Sequence, residues 1–158
     1  MTQRLNYVRL SPESYKKLME LSDTVKQSSL SQQLIDLVFL RASQLNGCAF
    51  CVDMHSKEAR LHGEDELRLH HLVIWHESPL FTEKERAALA WTEALTHLSQ
   101  TEIDDMFFEE TKPHFDEKEL SDLTYAIATI NAWNRLAAPF KATPGAADTA
   151  LGLTGWRS

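Results

Sequence analysis

Two cysteines and a histidine are the residues whose types and spacing could do redox chemistry in this chain. Cys48, Cys51 and His55 follow one another at intervals of three and four residues. Residues at these intervals share one face of a helix. A thiolate can be oxidised and then trapped as a disulfide by a second thiol nearby, and a histidine one turn away can take a proton. The spacing therefore predicts a helical stripe with Cys48 in the first turn, where the helix dipole favours a thiolate.

From the residues alone, three interpretations of this stripe stay open. Free cysteines are often buried as small apolar side chains, so the three residues could simply pack against neighbouring helices. Two cysteines and a histidine could also supply three of the four ligands of a zinc site. A CxxC pair in a chain without other cysteines is also typical of a redox dithiol. The lack of a second CxxC motif ranks the metal site below the dithiol.

Helices must position these residues, and the pattern of caps and apolar residues predicts seven of them. Asn46 and Gly47 stop a largely apolar helix directly before Cys48. Thr82 with Glu85, and Asp116 with Glu119, fit the capping box that opens a helix. The predicted helices cover approximately residues 11–22, 30–45, 48–62, 64–76, 83–98, 101–111 and 116–138. No strand is predicted, so the expected fold is an all-α bundle.

Composition sets the broad class of the protein. The chain has 158 residues, a net charge of −7 and 43% hydrophobic residues, with 5 glycines and 5 prolines. These values are typical of one soluble helical domain, which we expect to span residues 1–158 with its core at about 30–140. An acidic chain without a basic stripe is not expected to bind nucleic acid or anionic membranes. No signal-like or membrane-spanning segment is found, so we expect a cytoplasmic protein.

Three segments together resemble the carboxymuconolactone decarboxylase superfamily, and specifically its alkylhydroperoxidase AhpD-like branch. They read LRASQLNGCAFCVDMH at 40–55, EKERAALAWTEALT at 83–96 and INAWNRL at 130–136. The resemblance covers most of residues 30–140, and the cysteine segment is its most specific part. It implies an all-α fold assembled as a dimer, trimer or hexamer. It also implies an antioxidant peroxidase whose CxxC pair cycles between dithiol and disulfide without a metal or another cofactor.

The same resemblance assigns roles to individual residues. Cys48 and Cys51 match the redox pair, and His55 matches the histidine of the proton relay. Asp36, twelve residues before the first cysteine, stands where the characterised enzymes have the relay glutamate. At about 1.5 Å per residue, Asp36 and His55 would differ by roughly 4 to 5 Å in height across the helical hairpin, which suits a water bridge. Phe50 stands where the best-studied peroxidases have a histidine, which predicts a more apolar pocket.

The expected activity is reduction of organic hydroperoxides by this dithiol. We predict that Cys51 attacks the peroxide, that Cys48 resolves the sulfenic acid, and that an external dithiol or protein reductant restores both thiols. The departures at Asp36 and Phe50 also suit a second hypothesis, a redox sensor or stress-response module without efficient turnover. Lactone decarboxylation, the other activity in the superfamily name, does not use a CxxC pair and ranks lower.

Overall fold

The computed structural model describes residues 2–156 of the chain, and within them the fold is all-helical, with no strand. Residues 1, 157 and 158, the ends of the predicted domain, lie outside the described part. The α-helices are α1 (Tyr7–Leu10), α2 (Pro12–Lys26), α3 (Gln32–Leu45), α4 (Ala49–Leu61), α5 (Glu66–His71), α6 (Glu83–Thr96), α7 (Asp105–Thr111) and α8 (Glu117–Ala137). Short 3₁₀ helices cover Leu72–Glu77, Lys112–His114 and Leu153–Gly155. None of the described helices has both the length and the apolar character needed to cross a bilayer.

Helix α3 lies at the centre of the fold. The hydroxyl of Ser31 caps it by accepting from the Leu34 amide at 3.3 Å. Every residue from Leu34 to Leu40 is buried, which confirms the prediction of a largely buried helix. Helix α3 packs against α4, α6 and α8, so it has no face directed to solvent along this stretch. Burial of this apolar surface is the main force that holds α4 and α8 around the cysteines.

Capping residues begin the two long helices where the sequence predicts. In α6, Thr82 accepts from the backbone amide of Glu85, and the Glu85 carboxylate accepts in return from the Thr82 amide. Asp116 and Glu119 make the same reciprocal pair at the start of α8. Each pair satisfies amides that have no partner within the helix. Both predicted capping boxes are therefore confirmed.

Two helical regions differ from the prediction. Helix α1 was not predicted, and the helix expected over residues 64–76 is broken, because α5 ends at His71 and a 3₁₀ helix follows. Ile74 has non-helical angles, with φ −121° and ψ 28°. Residues three apart lie directly above one another in a 3₁₀ helix, so this geometry directs both Leu72 and Trp75 into the core. The Trp75 indole also donates to the Glu93 carboxylate at 2.7 Å, a tertiary contact that local sequence does not reveal.

Candidate active site

A tight turn between α3 and α4 places the first cysteine. Gly47 has a positive φ of 61°, a conformation that other residues rarely adopt. The Cys48 amide then donates to the Ser43 carbonyl at 3.0 Å, which closes the end of α3. Cys48 is the N-cap residue of α4, and its Sγ accepts from the Cys51 amide at 3.4 Å. The predicted position of Cys48 at the start of a helix is therefore confirmed.

The two cysteines form one reduced, buried pair. Their exposed fractions are 0% for Cys48 and 1% for Cys51, and both pack with Ala137 of α8. The Cys51 thiol donates a hydrogen bond to the Cys48 sulfur, and this bond is the main reason that the pKa of Cys48 falls to about 7. The same bond, together with burial, raises the pKa of Cys51. As the pH rises, Cys48 therefore loses its proton before Cys51 does.

His55 lies one turn after Cys51 and is 4% exposed. Its Nδ1 is 2.7 Å from Oε2 of Glu58, and its ring meets the Phe39 ring edge-on at 5.1 Å between centroids. Burial alone would raise the Glu58 pKa, but the hydrogen bond from His55 and the charges of His55 and Lys26 lower it to about 2. An ionised carboxylate only accepts, so the hydrogen lies on His55 Nδ1. Nε2 of the same ring is buried and has no hydrogen-bond partner.

Asp36 makes different contacts from the predicted ones. Its carboxylate, 3% exposed, accepts from Nδ1 of His62 at 2.7 Å and from the side-chain amide of Gln32 at 3.0 Å. Burial raises the pKa of Asp36, although both hydrogen bonds act to lower it. Within residues 2–156, the carboxylate in hydrogen-bond contact with His55 is therefore Glu58 instead of Asp36. The catalytic role of Asp36 stays a prediction.

Other groups border the dithiol. Phe50, which stands between the cysteines, packs against the cluster of Cys48, Cys51 and Ala137. The Tyr7 ring lies 6.0 Å from the Phe140 ring, at the end of α8. Burial is the main cause that raises the pKa of Tyr7 to about 12. The dithiol is thus enclosed by aromatic and small apolar side chains.

Sequence reasoning missed two polar residues of this site. Glu58 follows His55 by three residues on the same helix, so its spacing alone could have indicated the pair. Asn134 of α8 lowers the pKa of both thiols. In the sequence, its only link to the cysteines was its place in the segment at 130–136, which is part of the family resemblance. Among the described residues, no group of three or more His, Cys, Asp or Glu side chains is placed to hold a metal ion.

Comparison with known proteins identifies the family. The profile of the carboxymuconolactone decarboxylase family matches residues 12–94. The uncharacterised protein YdfG of Bacillus subtilis is 38% identical over 136 residues, which cover 86% of this chain and 92% of YdfG. This chain belongs to the carboxymuconolactone decarboxylase family.

Solved structures place the chain in the AhpD-like branch of that family. A protein of unknown function from Agrobacterium tumefaciens, provisionally named an antioxidant defence protein AhpD, is 44% identical. The match covers 90% of this chain and 98% of the Agrobacterium chain, with a TM-score of 0.87. The debrominase Bmp8, solved with 2,3,4-tribromopyrrole, has a TM-score of 0.78 at 20% identity and covers 90% of this chain and 76% of its own. At that identity the similarity to Bmp8 shows the fold alone.

Proposed function

We propose that this member of the AhpD-like branch is a thiol-dependent peroxidase that reduces organic hydroperoxides. The observation that carries the proposal is the hydrogen-bonded dithiol, in which Cys48 has a pKa of about 7 and Cys51 holds the proton. A thiolate is the reactive form of cysteine, and a second thiol beside it can resolve the oxidised product. The Agrobacterium tumefaciens relative, which is provisionally named an antioxidant defence protein, supports the same chemistry.

In the first step, the Cys48 thiolate attacks the distal oxygen of the hydroperoxide. The O–O bond breaks, Cys48 becomes a sulfenic acid, and the alkoxide leaves and takes a proton from solvent water to form the alcohol. This order differs from the predicted one, in which Cys51 attacks. We prefer Cys48 because its pKa is lowered, whereas Cys51 holds a proton and has a raised pKa.

In the second step, the Cys51 thiol attacks the sulfenic sulfur of Cys48. Nε2 of His55 takes the thiol proton and returns it to the departing hydroxide, so that one water molecule leaves and a disulfide forms. Glu58 keeps the hydrogen of the ring on Nδ1, which leaves Nε2 free to accept. An external dithiol then reduces the disulfide by thiol–disulfide exchange. No metal or other cofactor takes part in this scheme.

A redox sensor with the same dithiol is the second candidate. It is favoured by the burial of both sulfurs, since each is at most 1% exposed and a substrate must pass the surrounding side chains to reach it. A sensor would oxidise and be reduced reversibly without sustained turnover. The family resemblance further supports an external dithiol partner and homo-oligomers as parts of the proposal, to which the cytoplasmic location expected from the sequence also belongs.

The decisive experiment follows an organic hydroperoxide and a dithiol reductant at steady state, with the wild type, Cys48→Ser and Cys51→Ser. We expect wild-type turnover, loss of turnover in both variants, and a trapped sulfenic acid in Cys51→Ser only. A sulfenic acid only in Cys48→Ser would instead restore the predicted order. Reversible disulfide formation without turnover would favour the sensor, and activity that a chelator removes would contradict both.

A further inference from the structure

A row of buried side-chain amides lies against the dithiol on the side of α8. Asn46, at the end of α3, donates through Nδ2 to Oδ1 of Asn131 at 3.0 Å and to Oδ1 of Asn134 at 2.9 Å. Asn134 is 1% exposed and Asn131 is 8% exposed. Burying amide groups is costly unless they are hydrogen-bonded. A row of three is therefore a feature that needs its own explanation.

The hydrogen bonds determine which end of the Asn134 amide faces the sulfurs. Nδ2 of Asn46 also contacts the Ala42 carbonyl oxygen at 2.8 Å, and a carbonyl can only accept, so this atom of Asn46 is the donor. Its neighbour in Asn134 must then be the oxygen. Nδ2 of Asn134 consequently points the other way, towards the Ser43 hydroxyl at 3.1 Å. One N–H is used there, and the second remains for the sulfurs.

The contact of Asn134 with the dithiol is specific to this position of α8. The Asn134 side chain lowers the pKa of both Cys48 and Cys51, and Ala137, one turn further on the same face of α8, packs against the same two residues. Asn131, one turn earlier, donates to Thr96 and to a backbone carbonyl of its own helix instead. The two asparagines lie on the same helix, and both are buried. They differ in that Asn134 lowers the pKa of the two thiols, whereas Asn131 is not among the groups that shift them.

We propose that Asn134 is a catalytic residue whose amide N–H stabilises negative charge on the sulfurs. The charge lies on Cys48 before it attacks the peroxide, and it returns to a sulfur when the external dithiol opens the disulfide. A donor already fixed by Asn46 and Ser43 needs no reorganisation at either stage. This inference deepens the proposed peroxidase and rests on it for the reaction, although the sulfur contact itself does not depend on turnover.

The first test is a thiol titration of the whole protein, read from thiolate absorbance near 240 nm and from the rate of alkylation by iodoacetamide. In Asn134→Ala, we expect the first thiol midpoint to rise by about one pH unit or more, because a charge-assisted hydrogen bond is lost. A rise of one unit lowers the thiolate fraction at pH 7 from about one half to about one tenth, so the alkylation rate should fall by about fivefold or more. The matched control is Asn131→Ala, which removes a buried asparagine of the same helix and should leave the midpoint in place.

A second measurement uses the wild-type protein, so it remains decisive where Asn134→Ala fails to fold. In a pH titration by ¹H–¹⁵N NMR, the side-chain amide of Asn134 should shift with the midpoint of the first thiol, and that shift should vanish in Cys48→Ser. The side-chain amide of Asn131 is the internal reference and should not follow the thiol. The assignment would be overturned if the Asn134 amide shift did not follow the thiol titration. It would also be overturned if a folded Asn134→Ala kept the wild-type thiol midpoint.

The two proposals can fail separately. Turnover can be absent while the titration still follows Asn134, which would remove the peroxidase and leave Asn134 as the residue that stabilises the thiolate. A normal turnover in Asn134→Ala with an unshifted midpoint would have the opposite meaning. It would support the peroxidase and remove Asn134 from its mechanism.

Discussion

Helix α4 and its C-cap carry two histidines, seven residues apart, and each is hydrogen-bonded to a carboxylate. We name His55 with Glu58 the inner pair and His62 with Asp36 the outer pair. Nδ1 lies 2.7 Å from a carboxylate oxygen in both. The histidine side chain is 5% exposed in the inner pair and 37% exposed in the outer pair. Equal hydrogen-bond lengths thus occur in two different surroundings.

The pKa values of the two carboxylates are shifted in opposite directions from their ordinary values. Burial raises both pKa values, but Glu58 also contacts Lys26 at 2.9 Å, and its pKa falls to about 2. For Asp36, the second contact is the neutral amide of Gln32, and burial prevails, so its pKa is raised. A contact with histidine therefore does not by itself lower the pKa of a buried carboxylate. Lys26 adds to the effect of His55 on Glu58, whereas the charge of Glu58 acts to raise the pKa of Asp36, so the inner pair is the one suited to hold a fixed tautomer.

The largest difference in turnover is expected between substitutions of the two histidines. His55→Asn should lower steady-state hydroperoxide turnover by about 10²-fold or more, because it removes the base that accepts the Cys51 proton. His62→Asn should keep turnover close to wild type. Trapping the sulfenic acid should also show a longer lifetime in His55→Asn. Equal losses in the two variants would contradict a special role for the inner pair.

The second-largest difference in turnover is expected between substitutions of the two carboxylates. Glu58→Gln is expected to lower turnover by about tenfold, as a partner that orients a catalytic histidine commonly does. Asp36→Asn, the matched substitution in the outer pair, should leave turnover nearly unchanged. The same steady-state assay measures both. The reverse ranking would return the proton relay to Asp36, as the family resemblance predicts.

Stability should depend on pH with opposite signs in the two pairs. Glu58 has a pKa lower in the folded protein than its ordinary value of 4.5, so its contribution is present above pH 4.5 and is lost as the pH falls towards 2. Urea unfolding of Glu58→Gln should show a loss of about 2 kcal/mol at pH 7 that disappears in acid. Asp36 has a raised pKa, so its ionisation weakens the folded state as the pH rises. Asp36→Asn should therefore be nearly neutral at pH 7, and a large loss there would contradict this account.

The smallest effect is expected at the cation of the inner pair. Lys26 is 38% exposed, so Lys26→Met should lower the free energy of unfolding by less than about 1 kcal/mol at neutral pH. Its clearer effect should be a higher pKa for Glu58, visible as an earlier loss of stability on acidification. Lys17→Met is the control, since Lys17 makes an exposed ion pair with Glu20 elsewhere on α2. Identical acid profiles for the two variants would show that Lys26 does not set the charge of Glu58.

Local signals predicted much of the fold. The capping boxes at Thr82 and Asp116 and the stop at Gly47 depend on residues a few positions apart, and the structure has all three. Helix α1 is four residues long and has no buried residue, so it leaves no apolar pattern to detect. The break after His71 depends on how Trp75 meets Glu93 in α6. Such tertiary contacts are absent from any short window of sequence.

The site was predictable to the same extent. Cys48, Cys51 and His55 lie on one helix, and their spacing alone indicated a shared stripe. Asn134 lies 86 positions after Cys48, and only the packing of α8 brings them together. Asp36 was assigned by its position relative to the family, which does not reveal that its contacts are His62 and Gln32. The position that Asp36 shares with the family thus predicted a carboxylate near a histidine. It did not predict that the histidine is His62.

The sulfur of Cys48 has a second role as the N-cap of α4. The first turn of the helix is tied to this atom through the Cys51 amide. A thiolate is a stronger acceptor than a neutral disulfide sulfur, so oxidation weakens the cap at the same moment that it stores the oxidising equivalent. In the proposed disulfide, a covalent bond joins the same two residues, so the first turn is held by the S–S bond in the oxidised protein and by the sulfur cap in the reduced protein. Each proposed catalytic cycle would exchange one of these links for the other.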